Sequence, residues 1–574
     1  MGSLGSLYVG ASGLAASQAA LNTTSHNLAN VETKGYVRQQ VLFTDQRYVT
    51  IGENHISKMQ KGYGTDIASV NQVRDIFLDK SYRQEVGRQA FYEAQYQAVQ
   101  EVEGLFGELE GVAFQDSLDE FWTALQELAK EPDSIVARAS LIQTSVTFME
   151  RAENISTQLN DYQVNLNTQI LNQVSRINEI GDEIKTLNLK IRQYESTGLE
   201  HANDLRDERN VLIDELGKYV NITYKENKDG VINVNIEGVP FVTEDTVFHM
   251  GTKKISESSD MLKPIWPNHG NTDVYNMDVA PSADKNTDIG SLKGLLTARG
   301  YKQANYTDIP KRDKYESDAA YDMAVIDYNN KINSSVIMTV QAQFDQLIHG
   351  IVTTINDVLS PNKEVTLSDG TKVKIFDKDK APVGMDEEAT RGEGLFNRKS
   401  TARYQEERLI DIVEEDGTVE TVEARIYNEE VETDIYSLFT LGELEINPNI
   451  KNNYSKIPLS KSSGEYDIET AKKLLTEWQT PFSTLSPNTL TVNNFNDYYN
   501  SLISELANRG EQLNTISANQ ESMAESIDNQ RMQVTGVSSD EELTNLIKYQ
   551  HAYNAAARYV NVVDEMLEHI ITSL

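Results

Sequence analysis

The chain has no cysteine among its 574 residues. Disulfides, thiolate metal sites and a cysteine nucleophile are thereby excluded, and packing alone must hold a chain of this size together. Basic charge is short as well. Lys and Arg number 52 against 88 Asp and Glu, a net charge of −36. So acidic a balance argues against dominant contacts with nucleic acid or an anionic membrane surface, which need clustered cations. No apolar run approaches the roughly 18 residues of a membrane span. Ser, Gly, Asn and Thr interrupt the apolar residues at the N-terminus, so it lacks the regions of a signal peptide. The chain is expected to stay in the cytoplasm or to leave by a route that cleaves nothing.

Motifs that carry chemistry are missing too. The eight histidines include no pair at metal-ligand spacing on one helix face, and neither H-E-x-x-H nor G-x-S-x-G occurs. Asp377 and Asp379 begin like a calcium loop, but Ala381 and Pro382 stand where a third ligand and the turn glycine belong. Gly62 and Gly64 are followed by no phosphate-binding pattern. No catalytic residue, cofactor or metal is expected.

What is present is helical patterning at both ends. The first 31 residues carry no Asp, Glu, Lys or Arg, although the chain is 24% charged. Leu4, Leu7, Ala11, Leu14, Leu21 and Leu28 follow a three-four alternation interrupted at Gln18 and Ser25, flanked by Ala15, Ala16, Ala19 and Ala20. This predicts an amphipathic helix whose small-residue flank can approach another helix closely, or else an ordinary core helix opening a domain. At the other end Leu546, Tyr549, Tyr553, Ala556, Val560, Val563, Leu567 and Ile570 keep the same alternation, after Ser538 or Ser539 as cap and Glu541 and Glu542 as first-turn acids.

Between the ends, residues 71–218 read as helical with a break near Pro132, where Asp133 or Ser134 can cap the next helix. Ile170, Ile177, Ile184 and Ile191, with Ile180 and Leu187, predict a long helix packed in a bundle. Further helical blocks are expected over 318–359 and 495–532. Asp229-Gly230, Asp369-Gly370 and Asp416-Gly417 signal hairpin turns. The fold class is therefore mainly α with inserted β, and three units are expected. They are a terminal-helix coiled coil (1–45 plus 536–574), a helical-bundle body with β-hairpins (46–359 plus 471–535), and an inserted, mostly β outer domain (360–470). Within the last, residues 405–445 hold 14 acids and two arginines, net −12, a solvated outer surface more readily than a cation site.

The stretch from Asn27 to Gln40, NLANVETKGYVRQQ, strongly resembles the N-terminal signature of flagellar axial proteins: rod, hook and hook-associated proteins. Its ending, Tyr36-Val37-Arg38-Gln39, is similar to the hook-associated protein 1 family, as are residues 537–553 and 564–567. Gly62–Thr65, Arg74–Leu78, Tyr82-Arg83, Asn203–Arg209, Ile213–Leu216 and Gly290–Leu296 support the narrower resemblance.

The resemblance implies a non-enzymatic structural protein in the bacterial flagellum, outside the cell at the junction of hook and filament. Export would be unfolded, through the flagellar channel, with terminal helices that fold against each other and their neighbours on assembly. Implied partners are the hook protein, a second junction protein, further copies of the chain, the filament cap or flagellin indirectly, and an export chaperone on the C-terminal helix. Implied assembly residues are Leu14, Leu21, Asn27, Asn30, Gly35, Tyr36, Arg38 and Gln39. At the C-terminal end they are Glu541, Glu542, Leu546, Tyr549, Gln550, Tyr553, Val560, Val563, Met566, Leu567 and Ile570. The N-terminal motif would pack against neighbours, fasten the turn within its own subunit, or both. The competing readings are a hook or rod protein, and an extracellular adhesive protein using residues 360–470.

Overall fold

The computed structural model describes residues 2–54, 57–107, 113–197, 201–257, 259–413, 418–461 and 464–573. Helix dominates, with small sheets inserted, as the sequence patterning predicts. The chain opens with α1 (Gly2–Ala29) and continues into a long hairpin: β1 (Gln39–Asp45) and β2 (Tyr48–Asn54) out, β3 (Ser57–Gly62) and β4 (Thr65–Gln72) back. β1 pairs antiparallel with β4 and β2 with β3. The hairpin rests on α1, where the Thr65 N–H donates to Ser12 Oγ at 3.2 Å.

Four helices follow: α2 (Ile76–Phe106), α3 (Phe114–Lys130), α4 (Ile135–Glu195) and α5 (Asn203–Tyr219). Asp75 caps α2 by accepting the Phe77 and Leu78 N–H groups. The break at Pro132 falls where expected, and Ser134 caps α4 through the Ala137 N–H. Two further breaks divide the stretch, one at Gly107, whose φ of +62° ends α2, and one beyond Glu195. The isoleucine stripe of the 61-residue α4 is buried throughout, with Ile170, Ile177, Ile180, Ile184 and Ile191 at 0% exposure.

β5 (Ile222–Glu226), β6 (Ile232–Ile236) and β7 (Val239–Val242) form a three-stranded sheet whose first turn contains Asp229-Gly230. β8 (Gly251–Lys254), β9 (Leu262–Trp266) and β10 (Thr272–Asp273) form another. α6 (Ser291–Arg299) precedes α7 (Asp318–Lys331) and α8 (Val336–Leu359). The block expected over 318–359 is divided because Ser335 caps a new helix by accepting the Met338 N–H.

β11 (Asn362–Leu367), β12 (Lys372–Phe376), β13 (Phe396–Arg398), β14 (Arg408–Val413), β15 (Val419–Ala424) and β16 (Leu444–Ile446) carry the β-rich segment. Four of them make a sheet of order β12-β11-β14-β15, with its own small cluster of Ile375, Ile410, Ile412, Ala424 and Ile426. The turn at Asp369-Gly370 links β11 to β12, whereas Asp416-Gly417 lies outside the described residues. β13 pairs with β16, and there Phe396, Phe439 and Leu444 join the main helical core.

The chain returns through α9 (Pro448–Asn452), α10 (Ile468–Gln479), α11 (Phe495–Thr535) and α12 (Ser539–Ser573). α11 packs along α2, and Phe106, Phe114, Phe344 and Tyr499 meet with ring centroids 5.0–6.3 Å apart. This aromatic knot lies in a single large cluster that runs from α2 through α11.

Candidate functional site

The two chain ends lie against each other. α1 and α12 run antiparallel, with Gly10 against Tyr559 and Val560, Gly13 against Ala556, and Asn27 against Glu542. The face of α1 that is covered is the small-residue flank: Ala16, Ala20, Thr24 and Asn27 are buried. Leu14 and Leu21 sit beside that seam and stay half-exposed. The reason is steric, since a helix lined by Gly and Ala lets the partner's Tyr and Val side chains lie close to its backbone. On α12, Val563 is buried, while Leu546, Tyr549, Tyr553, Val560 and Leu567 are half-buried along the same seam. Glu541, Gln550, Met566 and Ile570 are exposed. Tyr559, Val562, Met566 and Ile570 form an open apolar row beside it.

A polar clasp closes the end of this helix pair, and Asn27 is its hub. Its amide nitrogen donates to the Gln39 carbonyl at 2.9 Å and to Glu542 Oε2 at 3.2 Å. Its amide oxygen accepts the Tyr36 hydroxyl at 2.7 Å and the Gln39 N–H at 3.0 Å. Both donors and both lone pairs of a side chain 1% exposed are thus satisfied. Arg38 spans the two ends. Its guanidinium meets Glu541 at 2.9 Å and Glu542 at 3.5 Å, and its N–H donates to the Thr535 carbonyl at 2.8 Å. Glu542, buried at 2% exposure, is therefore a carboxylate with both an ion-pair and a hydrogen-bond partner, as burial of charge demands.

Asn30 shapes the exit from α1, donating from its side chain to the His26 carbonyl at 3.0 Å and accepting the Thr33 hydroxyl. Gly35 has φ +82°, and a Cβ there would collide with Val211. The turn thus needs glycine both for its backbone angle and for its closeness to α5. Of the nineteen expected residues, the structure brings Asn27, Tyr36, Arg38, Gln39, Glu541 and Glu542 into this one hydrogen-bonded cluster. The leucines and the remaining α12 residues lie along the helix pair.

Sequence reasoning did not place α5 in the site. The Val37 N–H donates to Asp207 Oδ2 at 3.2 Å, Gln72 donates to Asp207 Oδ1 at 2.7 Å, and Gln39 reaches Asp204 at 3.4 Å. Asn203 in turn donates to the Val70 carbonyl. The stretch Asn203–Arg209 and the N-terminal motif both stand out in the sequence, but nothing in their spacing says that they meet. Burial raises the pKa of Asp207 to about 7 against the pull of the Val37 N–H and Arg74. Burial, then Asp204, Asp207 and Glu542, hold the Tyr36 phenol well above its ordinary value, so it remains a donor. Among the described residues no group of three His, Asp or Glu side chains is placed to hold a metal.

An antiparallel pair of chain ends is clasped to a long helical body, and comparison with known proteins links this arrangement to structural proteins of the flagellar axis. A family model described as the flagellar hook-associated protein FlgK helical domain matches residues 99–376. The two ends match models of rod proteins, residues 7–36 the flagella basal body rod protein and 528–573 the C-terminal part of the basal body rod proteins FlgEFG. Flagellar hook-associated protein 1 of Bacillus subtilis is 26% identical, over 98% of this chain and 96% of the relative. Its counterpart in Salmonella typhimurium is 25% identical over 98% of both. The solved flagellar hook junction protein FlgK of Burkholderia pseudomallei shares the fold, with a TM-score of 0.51 and 13% identity over 79% of this chain and all of that one. Over nearly its whole length the chain is similar to flagellar hook-associated protein 1, a structural protein of the flagellum.

Proposed function

We propose that the chain is the adaptor that joins hook to filament, exported unfolded without cleavage and assembled through its terminal helices. The observation that carries this reading is the division of labour on α1. Its small-residue face is covered by α12, while Leu14 and Leu21 are left half-open on a charge-free helix, and Tyr559, Val562, Met566 and Ile570 of α12 form an open apolar row of their own. Open apolar surface on a helix pair at one end of the molecule suits packing against further copies and against hook protein and a second junction protein. Filament cap or flagellin would be reached indirectly. In the cytoplasm the same α12 surface suits an export chaperone. The chain would act as three units, 1–45 plus 536–574 for assembly, 46–359 plus 471–535 as body, and 360–470 outward.

The test is a clean deletion, imaged by electron microscopy, with flagellin assayed in the medium. Finished hooks without filaments, with flagellin lost outside, is the expected result. Absent hooks would move the chain inward to hook or rod, and normal filaments would favour the adhesive reading of residues 360–470.

A further inference from the structure

The chain is strongly acidic, at −36, yet it holds one basic cleft. About 620 Å³ in volume, it lies between the start of α2, α5 and the β5–β6 pair. Six cations line it, Arg74, Lys80, Arg83, Arg206, Arg209 and Lys225, against two carboxylates, Asp79 and Glu226. The guanidinium groups have acidic partners within the chain. Arg74 meets Asp79 at 2.9 Å, Arg83 meets Asp214 at 2.6 Å, Arg206 meets Glu195 at 2.8 Å and Arg209 meets Glu226 at 3.3 Å. Lys80 and Lys225 are exposed, and among the described residues neither has an acidic partner. Ile76 and Phe77 make an apolar lip, 65% and 74% exposed, and Ile76 lies one turn before Lys80 on the same helix face. The cleft also borders the clasp, because Gln72 and Asn203 belong to both.

Such a surface suits a segment that combines exposed carboxylates with exposed apolar side chains, and the β-rich part of the chain carries one at 429–436. Glu429, Glu432 and Asp434 are exposed there, and so are Val431, Ile435 and Tyr436, at 50–58%. Glu432 faces Lys314 and Glu429 faces Lys374, while Asp434 has no cation beside it among the described residues. Within its own chain the segment is anchored by Glu430 to His349 of α8, an element that contributes nothing to the cleft. We propose that the cleft receives residues 429–436 of a second copy of this chain, Lys80 meeting Asp434 while Ile76 and Phe77 pack against Ile435 and Tyr436. Complementary charge fixes the register of the contact, and the apolar lip supplies affinity that exposed ion pairs lack. Cleft and segment are different patches, so the contact is head-to-tail and passes from copy to copy, closing into a ring or running on as a helix. The proposal rests on the assembly reading above and names one contact within it.

Carbodiimide cross-linking of isolated flagella tests it, because the reagent joins an amine only to a carboxylate already touching it. The expected product is a covalent multimer of the chain in which Lys80 is amide-bonded to Asp434 or Glu432. Lys80→Arg keeps the charge and removes the amine, so it should lose that multimer and keep its filaments. The absence of native cysteine allows a second measurement. Lys80→Cys combined with Asp434→Cys should give a disulfide-linked ladder on oxidation, and neither single variant should. Lys80 joined to a different protein, no link at Lys80 in wild-type flagella, or an equal ladder in the single variants would overturn the proposal. If those links are missing while deletion of the chain still leaves finished hooks without filaments, this contact fails and the adaptor reading stands.

Discussion

Asn27 shows how much a single side chain can organise when its chemistry is fully used. A primary amide offers two donors and two lone pairs, and the clasp presents two acceptors and two donors at 2.7–3.2 Å. Asn27→Ala leaves the Tyr36 hydroxyl, the Gln39 backbone and Glu542 short of partners, and each unsatisfied buried group costs about 1–3 kcal/mol. Asn27→Asp keeps the shape but replaces the donor facing Glu542 with a second carboxylate. Like charges buried at hydrogen-bond distance repel, so the aspartate variant should loosen the clasp more than the alanine variant does. Hydrogen exchange along 536–550 reads the outcome directly. Faster exchange in Asn27→Asp than in Asn27→Ala is expected, and the reverse order would mean that the amide's contribution is shape alone. The motif around Asn27 is conspicuous in the sequence, and so is the stretch holding its partners Asp204 and Asp207, but nothing in either says that they meet. Thr535 is an ordinary polar residue until folding brings the end of α11 alongside.

At the scale of elements, regular periodicity was legible and irregular contact was not. The isoleucine stripe of α4 repeats every seven residues and is buried as that spacing requires. Ser134, one of the two caps expected after Pro132, starts α4 by the ordinary capping rule, whereas the start of α2 at Asp75 falls later than the expected 71, because residues 65–72 form β4. The hairpin β1–β4 escaped notice because its sequence has no clean apolar–polar alternation and no Asn-Gly or Asp-Gly signal, while β1 and β4 lie on α1. In α1 the leucines draw the eye, yet glycine and alanine make the contact with α12. This sets up a test in which two effects of one substitution have opposite signs. Gly10→Ala should favour an isolated helix by about 1 kcal/mol through propensity. In the folded chain, however, the new Cβ would lie 2.6 Å from Val560 and 3.0 Å from Tyr559, and overpacking of that kind costs about 1–3 kcal/mol. Circular dichroism should therefore show more helix in a peptide of residues 2–29 carrying the change, while the full chain's α1–α12 pair exchanges faster. Faster exchange would be absent if the two helices were merely adjacent.

For the molecule as a whole, the distribution of core decides which parts unfold together. The main cluster joins α2, α3, α4, α6, α8 and α11 without interruption, and it takes in Phe396, Phe439 and Leu444 from the β-rich segment. The four-stranded sheet, by contrast, has a small cluster of its own, with five buried residues among those described. That asymmetry could not be read from composition, since Ile177 and Ile412 are the same residue type in equally regular local patterns, and both are buried, at 0% and 5% exposure. Their contexts differ in what surrounds them. Truncating Ile177 opens a cavity in the continuous core, and such a change costs about 2–5 kcal/mol, which should appear as a lower denaturant midpoint for the whole chain. Truncating Ile412 removes one of five residues from a small cluster, so the sheet can open without the bundle following it. Ile412→Ala should then raise hydrogen exchange in 362–376 and 408–424 and leave the midpoint of α4 unchanged. A shared midpoint shift in both variants would show instead that the sheet and the bundle fold as one cooperative unit, with the pairing of β13 and β16 as the coupling between them.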